Sequence, residues 1–270
     1  MGLLMSATEL QENDNCIVFD CRHALLDPGL GLEQYRAGHI PRARYANLDT
    51  DLSSTPGKGG RHPLPDRQAL AEKLRAWGVS NSSTVVCYDQ NAGAFAGRLW
   101  WLMRWLGHED VHVLDGGLDA WIAAGYPLDS HEVTTAPGSF TAGEPLTRQG
   151  EVTDLPDEAV TLLDARDGER FRGEVEPIDP VAGHIPGAIC ATFTDNLSEG
   201  SFKSTEALRQ RFESLGVIQG DDVVCYCGSG VTACHNILAL LLAGYPEPAL
   251  YAGSWSEWVA APDRPVATGP

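Results

Sequence analysis

The feature that most constrains the fold of this chain is an internal repeat. The segments CIVFDCR (16–22) and AGHIPRARYANL (37–48) of the first half return as VTLLDAR (160–166) and AGHIPGAICATF (182–193) in the second half. Solenoid repeats have units of about 20–50 residues, whereas the copies in this chain are far longer. The repeat therefore predicts two copies of one domain.

Two further pairs of segments extend the repeat. The stretch VVCYDQNAGAFAG (85–97) corresponds to VVCYCGSGVTACHN (223–236), and LDGGLDAW (114–121) corresponds to YAGSWSEW (251–258). The four pairs occur in the same order in both halves, so the duplication covers nearly the whole chain.

Each half alternates short β-branched runs with helical patterns. The run VVCY, at 85–88 and again at 223–226, is typical of a buried strand. The segments 70–78 and 208–216 have the pattern of helices that end at glycine. This alternation predicts an α/β fold in which helices cover both faces of a mainly parallel sheet. Ligands of such sheets bind beyond the carboxyl ends of the strands.

The segment between the two copies is rich in Gly, Pro, Thr and Ala, which is typical of a linker. We therefore predict a first domain at residues 1–132, a linker at 133–147 and a second domain at 148–270.

Charge and cysteine content restrict the partners and the location of the protein. The chain has 19 Lys and Arg against 37 Asp and Glu, a net charge of -18, which argues against unspecific binding to nucleic acid or to anionic lipid. A small anionic substrate stays compatible, because a few local Arg and His residues outweigh the average charge. No apolar run reaches transmembrane length, and the N-terminus lacks the basic region of a secretory signal. The seven cysteines favour free thiols in a reducing cytoplasm.

The two copies differ at one position that matters for chemistry. When VVCYD is aligned with VVCYC, Asp89 stands where Cys227 stands. The neighbouring cysteine, Cys225, has a counterpart in Cys87 and is therefore assigned to the scaffold. We predict an active second copy with Cys227 as its nucleophile and a degenerate first copy.

The residues after Cys227 predict an environment that favours an anion. Gly228 and Gly230 allow backbone angles at which successive N–H groups point at one centre, and the following helix adds its positive N-terminal end. Both effects favour a thiolate over a thiol, and the same cradle would hold a persulfide anion.

Two other chemistries are disfavoured for this loop. A cysteine phosphatase needs an arginine that binds the phosphoryl oxygens, and the expected position is occupied by Ala233. A metal site is disfavoured because Cys225, Cys227, Cys234 and His235 contain no C-x-x-C pair.

These motifs resemble the two-domain rhodanese superfamily of sulfurtransferases. The resemblance rests on FDCR…GHIPRA and LDAR…GHIPGA, on the two tryptophan motifs and on the loop CGSGVTA, and it extends along almost the whole chain. It implies two tandem rhodanese-like domains, each with a mainly parallel five-stranded sheet. The loop resembles that of the 3-mercaptopyruvate branch, since the thiosulfate branch typically carries basic residues in place of Gly228 and Ser229.

The resemblance also implies a reaction. Cys227 would take the sulfur of a small anionic donor such as 3-mercaptopyruvate, release pyruvate and pass the sulfur on to a thiol, a thioredoxin or cyanide. No cofactor and no metal are required. A thiosulfate:cyanide sulfurtransferase and a carrier that receives persulfide from a partner protein stay open as alternatives.

Further site residues follow from the family resemblance. Ser229, His62 and Asp51 match a Ser–His–Asp set that would assist the reaction. The alternatives are a surface-loop histidine for His62 and a helix cap or solvated carboxylate for Asp51.

The donor-binding residues are expected in two segments. Arg170 would bind the donor carboxylate, with Arg172 as a second candidate, and the alternative is a surface ion pair with Glu169 or Glu174. A second family arginine is expected where Asp179 stands, so one cationic contact is missing. The loop residues that would contact the donor are Gly228, Gly230, Val231 and Thr232.

Overall fold

Two five-stranded parallel sheets form the framework of the computed structural model, which describes residues 2–90, 92–151, 155 and 159–270. The strands of the first sheet are β1 (Leu4–Met5), β2 (Ile17–Asp20), β3 (Arg44–Tyr45), β4 (Val85–Tyr88) and β5 (Val111–Leu114). Their order is β1-β5-β4-β2-β3, and every pair is parallel. The accompanying helices are α1 (Ala7–Glu12), α2 (Leu30–Ala37), α3 (Arg67–Ala76), α4 (Ala96–Trp105) and α5 (Gly117–Ala123).

Helices cover both faces of the first sheet because its strands are apolar on both sides. Val18 of β2 belongs to a buried cluster with Leu10 of α1 and Trp121 of α5. Phe19, whose side chain points to the opposite face, contacts Trp77 at the end of α3 with ring centroids 5.2 Å apart.

The second sheet repeats this arrangement. Its strands, in the order β6-β12-β11-β7-β8, are all parallel. The strands of this part of the chain are β6 (Arg148–Gln149), β7 (Val160–Asp164), β8 (Ile189–Cys190), β9 (Leu197–Ser198), β10 (Ser201–Phe202), β11 (Asp222–Tyr226) and β12 (Ala249–Leu250). The helices are α6 (Gly168–Phe171), a 3-10 turn (Phe193–Asn196), α7 (Thr205–Ser214), α8 (Ala233–Leu242) and α9 (Ser254–Trp258). The predicted fold class is confirmed.

The repeated sequence motifs perform the same packing task in each sheet. In the first sheet, Arg22 Nη2 bonds to Asp20 Oδ2 at 2.6 Å and donates to the carbonyl oxygen of Gly38, the glycine of GHIP, at 2.7 Å. In the second sheet, Arg166 Nη2 bonds to Asp164 Oδ2 at 2.6 Å. Arg166 Nη2 also donates to the carbonyl oxygen of Gly183, the corresponding glycine, at 2.7 Å. These ion pairs fix the loops at the carboxyl ends of β2 and β7.

The two patterned segments with terminal glycines are helices, as predicted. Helix α3 is followed by Gly78 at φ 85°, and α7 is followed by Gly216 at φ 86°. Glycine ends both helices because this left-handed conformation is costly for residues with a Cβ atom.

The chain divides into two compact units whose boundaries differ from the predicted ones. Unit 1 comprises residues 1–54, 64–146 and 199–201, and unit 2 comprises 55–63, 147–198 and 202–270. The segment 55–63, which the sequence analysis places in the first domain, therefore belongs to unit 2. Most of the segment predicted as a linker belongs to unit 1, since Phe140 is fully buried there and its N–H donates to the carbonyl of Val79.

Within the described residues, no helix has the length and hydropathy needed to cross a membrane.

Candidate active site

Cys227 lies in the loop between the carboxyl end of β11 and the start of α8. The cysteine is buried, with 2% of its surface exposed. Its N–H donates to Ser254 Oγ at 3.1 Å, and its carbonyl oxygen accepts from the N–H of Trp255 at 3.0 Å. The segment that opens α9 thus fixes the backbone of Cys227 through both its N–H and its carbonyl group.

Ser254 is a positioning residue that the sequence analysis missed. It is fully buried and has φ 53°, a left-handed conformation that serine rarely adopts. Its hydroxyl accepts from Cys227 and donates to the carbonyl of Tyr251 at 2.9 Å. The corresponding residue of the first copy is Gly117 at φ 57°. The alignment of LDGGLDAW with YAGSWSEW places Ser254 opposite a glycine, and this exchange could have identified Ser254 from the sequence.

The two loop glycines meet different requirements. Gly230 has φ 74°, and a Cβ atom there would lie 2.3 Å from the carbonyl oxygen of Ala252. Gly228 has no left-handed backbone, contrary to the expectation that both glycines supply unusual angles. A Cβ at Gly228 would lie 3.1 Å from Arg61 Nη2 and 3.7 Å from Arg170 Nη1, so glycine provides space for two guanidinium groups.

The backbone around Cys227 offers donors to an anion. Among the residues that the structure describes, the N–H groups of Ser229, Val231 and Thr232 have no hydrogen-bond acceptor. Helix α8 begins at the next residue, and its N-terminal end adds partial positive charge. The predicted cradle of N–H groups is thus compatible with the geometry of this loop.

The corresponding loop of unit 1 contains an anion of its own. The fully buried carboxylate of Asp89 accepts N–H bonds from Gly93 at 3.0 Å, Phe95 at 2.6 Å and Ala96 at 2.7 Å. Asp89 occupies the position that Cys227 has in unit 2. In unit 1 the loop therefore directs main-chain N–H groups at the side chain that stands at this position.

Ser229 and His62 are brought together within unit 2. His62 Nδ1 lies 2.7 Å from Ser229 Oγ, and both residues are 4% exposed. The segment that carries His62 is fixed by Arg61, whose N–H donates to Ser256 Oγ at 3.0 Å. Gly60, at φ 93°, allows this close approach, because a Cβ there would lie 2.7 Å from the carbonyl oxygen of Gly253. His62 is thus a buried partner of the loop and not a surface histidine.

Asp51, the third member of the predicted set, lies in unit 1. Its carboxylate accepts from the N–H of Asn47 at 2.8 Å and forms an ion pair with Lys73.

Arg170, at the end of α6, is held by two carboxylates. Its Nη2 lies 2.7 Å from Glu176 Oε1 and 3.1 Å from Asp179 Oδ2, and its Nε lies 3.2 Å from Glu176 Oε2. Neither Glu169 nor Glu174, the partners considered from the sequence, is the partner of Arg170. Burial alone would raise the pKa of Glu176, but the hydrogen bonds from Arg170 and from backbone N–H groups outweigh burial and lower it.

Arg172 occupies a different environment. Its Nε lies 2.8 Å from Glu174 Oε1, and 39% of its side chain is exposed. The hydrogen bond that Arg172 donates to Glu174 raises the pKa of the guanidinium. Arg172 therefore has the surface ion pair that was the alternative for Arg170.

Arg61 is the second site residue that the sequence analysis missed. Its Nη1 lies 2.5 Å from Asp179 Oδ1, and its Nη2 is directed toward Gly228. The arginine immediately precedes His62 in GRHPLP, so its position beside the loop becomes evident only once residues 55–63 are placed in unit 2.

The other cysteines fit a scaffold role. Cys225, the cysteine of β11, is fully buried, and burial raises its pKa well above the usual range. Cys234 is also buried and donates to the carbonyl oxygen of Gly230 at 3.4 Å. No group of three or more His, Cys, Asp and Glu residues in the described ranges has the arrangement of a metal site.

Comparison with known proteins relates this geometry to one family. The rhodanese-like domain matches the chain twice, at residues 6–124 and 149–261. The chain is 55% identical over 278 residues to a probable 3-mercaptopyruvate sulfurtransferase of Pseudomonas aeruginosa, covering 97% of this chain and 95% of that protein. It is also 39% identical over 280 residues to a putative thiosulfate sulfurtransferase of Mycobacterium tuberculosis, covering 99% and 97%.

A solved structure extends this similarity. The 3-mercaptopyruvate sulfurtransferase from Leishmania major superposes with a TM-score of 0.85 at 32% identity, covering 96% of this chain and 74% of that one.

Proposed function

Because this chain belongs to the rhodanese-like sulfurtransferases, we propose that it transfers sulfane sulfur from a small anionic donor through a persulfide on Cys227. The favoured donor is 3-mercaptopyruvate. One observation supports this proposal above all. In the loop of Cys227, Ser229 Oγ lies 2.7 Å from His62 Nδ1, and two guanidinium groups lie beside Gly228.

In the first half-reaction, the Cys227 thiolate attacks the sulfur of the donor. A new S–S bond forms and the C–S bond of the donor breaks, so that its electron pair leaves with the carbon as the enolate of pyruvate. The enolate takes up a proton and becomes pyruvate. Cys227 is left as a persulfide, whose negative charge the N–H groups of Ser229, Val231 and Thr232 would stabilise.

Ser229 and His62 would act on the donor. The Ser229 hydroxyl donates a hydrogen bond to the donor oxygen on which negative charge develops, and His62, within hydrogen-bond distance at 2.7 Å, polarises that hydroxyl. Asp51 stays the proposed third member of the set on the family resemblance alone.

Arg170 would bind the donor carboxylate, because its guanidinium lies beside Gly228, whereas that of Arg172 is paired with Glu174 at the surface. The loop residues Gly228, Gly230 and Val231 would line the same site.

In the second half-reaction, an acceptor thiolate attacks the outer sulfur of the persulfide. The acceptor gains the sulfur and the Cys227 thiolate returns, so no cofactor enters the cycle. A thiol or a thioredoxin-like protein is the proposed acceptor, with cyanide as a laboratory substitute. The seven cysteines, all free in the structure, favour a cytoplasmic location.

Thiosulfate is the second candidate donor. It is supported by the 39% identity to the putative thiosulfate sulfurtransferase and by Asp179, which stands where a second carboxylate-binding arginine is expected. The uncharged loop residues Gly228 and Ser229 favour 3-mercaptopyruvate.

Paired kinetics test the proposal. Initial rates are measured with 3-mercaptopyruvate and with thiosulfate for the wild type, Cys227→Ser and the control Cys190→Ser, which alters the partly exposed cysteine of β8. We expect a higher kcat/KM with 3-mercaptopyruvate, loss of turnover in Cys227→Ser alone, and a gain of one sulfur atom on the Cys227 peptide by mass spectrometry. Turnover that survives in Cys227→Ser would exclude the mechanism, and negligible turnover with both donors would favour the persulfide carrier.

A further inference from the structure

An internal carboxylate occupies the position between the two arginines beside the Cys227 loop. Asp179 Oδ1 lies 2.5 Å from Arg61 Nη1, and Asp179 Oδ2 lies 3.1 Å from Arg170 Nη2. The Asp179 side chain is only 3% exposed. Each oxygen of one carboxylate is thus bound by a different guanidinium, as the carboxylate of a small ligand would be.

Both guanidinium groups also have donors directed toward the loop. Arg61 Nη2 and Arg170 Nη1 lie closest to the Cβ position of Gly228, and neither atom has a hydrogen bond within the described residues. Within the described residues, Arg61 Nε is buried and has no hydrogen-bond partner. A buried donor without a partner, such as Arg61 Nε, is uncommon in folded proteins and favours a ligand close to it.

The charges of this cluster cancel in the free protein. The positive charges of Arg61 and Arg170 face the carboxylates of Glu176 and Asp179. Glu176 also contacts Arg166, whose own charge is balanced by Asp164. Glu176 bonds to Arg170 through two atoms and fixes its orientation. Asp179 contacts each arginine through one oxygen. A ligand that replaces Asp179 would therefore break fewer contacts to Arg170 than a ligand that replaces Glu176.

We propose that Arg61 is the second cation of the donor site and that Asp179 is its resident counter-ion, which the donor carboxylate displaces. The identity of the donor rests on the function proposed above. Arg61 would thus supply, from the segment 55–63, the positive charge that the family resemblance places where Asp179 stands. The site would select for an anionic donor because the donor carboxylate takes the place of the Asp179 carboxylate between the two arginines.

The selectivity can be measured without turnover, by alkylation of Cys227. Iodoacetate carries a carboxylate and iodoacetamide is its neutral counterpart, and both react with the same thiolate. The ratio of their rate constants therefore cancels any change in the thiolate population and reports only the preference of the site for an anion. The extent of reaction is read from the Cys227 peptide by mass spectrometry, so the other cysteines do not contribute.

Four variants give distinct expectations for this ratio. Arg61→Gln should lower the iodoacetate-to-iodoacetamide ratio about tenfold, because a desolvated cation that contacts the reagent is lost. Arg61→Lys should lower it less, because the charge stays. Asp179→Asn should raise it several-fold, because the competing carboxylate is gone. The control Arg148→Gln alters an arginine that is 51% exposed and paired with Asp222, and it should leave the ratio unchanged.

Steady-state kinetics provide the second readout. For Arg61→Gln we expect the KM for 3-mercaptopyruvate to rise about tenfold with a smaller change in kcat, and for Asp179→Asn we expect the KM to fall. If Asp179 instead fixes the arginines for catalysis, Asp179→Asn would raise the KM and lower the alkylation ratio, which would refute its role as a displaceable counter-ion.

The outcomes separate this inference from the proposed function. An alkylation ratio that Arg61→Gln leaves unchanged, in a wild type that turns over 3-mercaptopyruvate, refutes the role of Arg61 and leaves the proposed function intact. A wild type that does not turn over 3-mercaptopyruvate refutes the proposed donor, while the alkylation ratio still decides whether Arg61 binds a carboxylate. Should Arg61→Gln fail to fold, Arg61→Lys and Asp179→Asn decide the question.

Discussion

Replacing Asp89 by alanine should destabilise unit 1 strongly. The carboxylate is fully buried, and the groups that donate to it include the N–H groups of Gly93, Phe95 and Ala96. Asp89→Ala leaves these three donors without an acceptor, at about 1–3 kcal/mol each. It also removes the negative charge from the N-terminus of α4, which contributes up to about 2 kcal/mol when partly buried.

We expect a loss of at least about 3 kcal/mol in the free energy of unfolding, even where water replaces some of the lost bonds. Because the chain has two units, a single unfolding transition cannot be assumed. Urea denaturation is therefore combined with hydrogen exchange at the amides of residues 93, 95 and 96, whose rates should rise roughly 100-fold or more. The expected shift of the melting temperature is about 6–12 °C.

Two further variants test the cause of this loss. Asp89→Asn keeps the size of the side chain and one acceptor oxygen, so it should cost about half as much, since charge-assisted bonds are roughly twice as strong as neutral ones. Glu109→Ala changes an exposed carboxylate of the same unit and should stay within about 0.5 kcal/mol of the wild type. A loss below about 1 kcal/mol for Asp89→Ala would show that the carboxylate does not stabilise the loop.

Three further predictions concern unit 2. Gly230→Ala should destabilise the protein by more than about 2 kcal/mol, because the residue has φ 74° and its Cβ would lie 2.3 Å from a carbonyl oxygen. The control Gly216→Ala, at φ 86° in open space, should cost about 1 kcal/mol. Both losses are measured by urea titration. Ser229→Ala should lower kcat with 3-mercaptopyruvate at least tenfold and leave the rate of Cys227 alkylation by iodoacetamide within twofold; an unchanged kcat would remove the hydroxyl from the mechanism. The pKa of Glu176 is lowered from its ordinary value of 4.5, so the carboxylate stabilises the fold above pH 4.5, and this stabilisation is lost as the pH falls through the lowered pKa. Glu176→Gln should therefore lose less stability than the wild type on acidification. Identical profiles of stability against pH would contradict this expectation.

The repeat predicted the fold because the duplicated motifs perform local tasks. Arg22 and Arg166, each paired with the aspartate two residues earlier, donate to the carbonyl oxygen of a GHIP glycine. The motif and its contacts therefore lie within one short stretch of chain. Helix ends at glycine and buried β-branched strands are local in the same sense. Patterns of this kind are visible in a single sequence.

The residues that sequence analysis missed depend on contacts between distant segments. Arg61 and Ser256 are 195 residues apart in the sequence, and Arg61 and Asp179 are 118 residues apart. Ser254 differs from them, because its counterpart is Gly117 and its left-handed φ could have been inferred from that alignment. The sequence shows that Asp179 stands where a family arginine is expected. Only the structure shows that Arg61 lies beside Asp179.

Asp89 and Asp179 show two ways in which a carboxylate of the protein occupies an anion site. The donors to Asp89 include the main-chain N–H groups of Gly93, Phe95 and Ala96, which the backbone of the loop fixes in place. The donors to Asp179 are the guanidinium groups of Arg61 and Arg170, which side-chain rotation can redirect. A carboxylate held by main-chain donors is fixed by the fold of the loop, whereas one held by side-chain donors can be exchanged without a change of backbone. On the proposal made above, the loop of unit 1 would therefore keep its own carboxylate permanently, and the loop that contains Cys227 would bind and release an anionic donor.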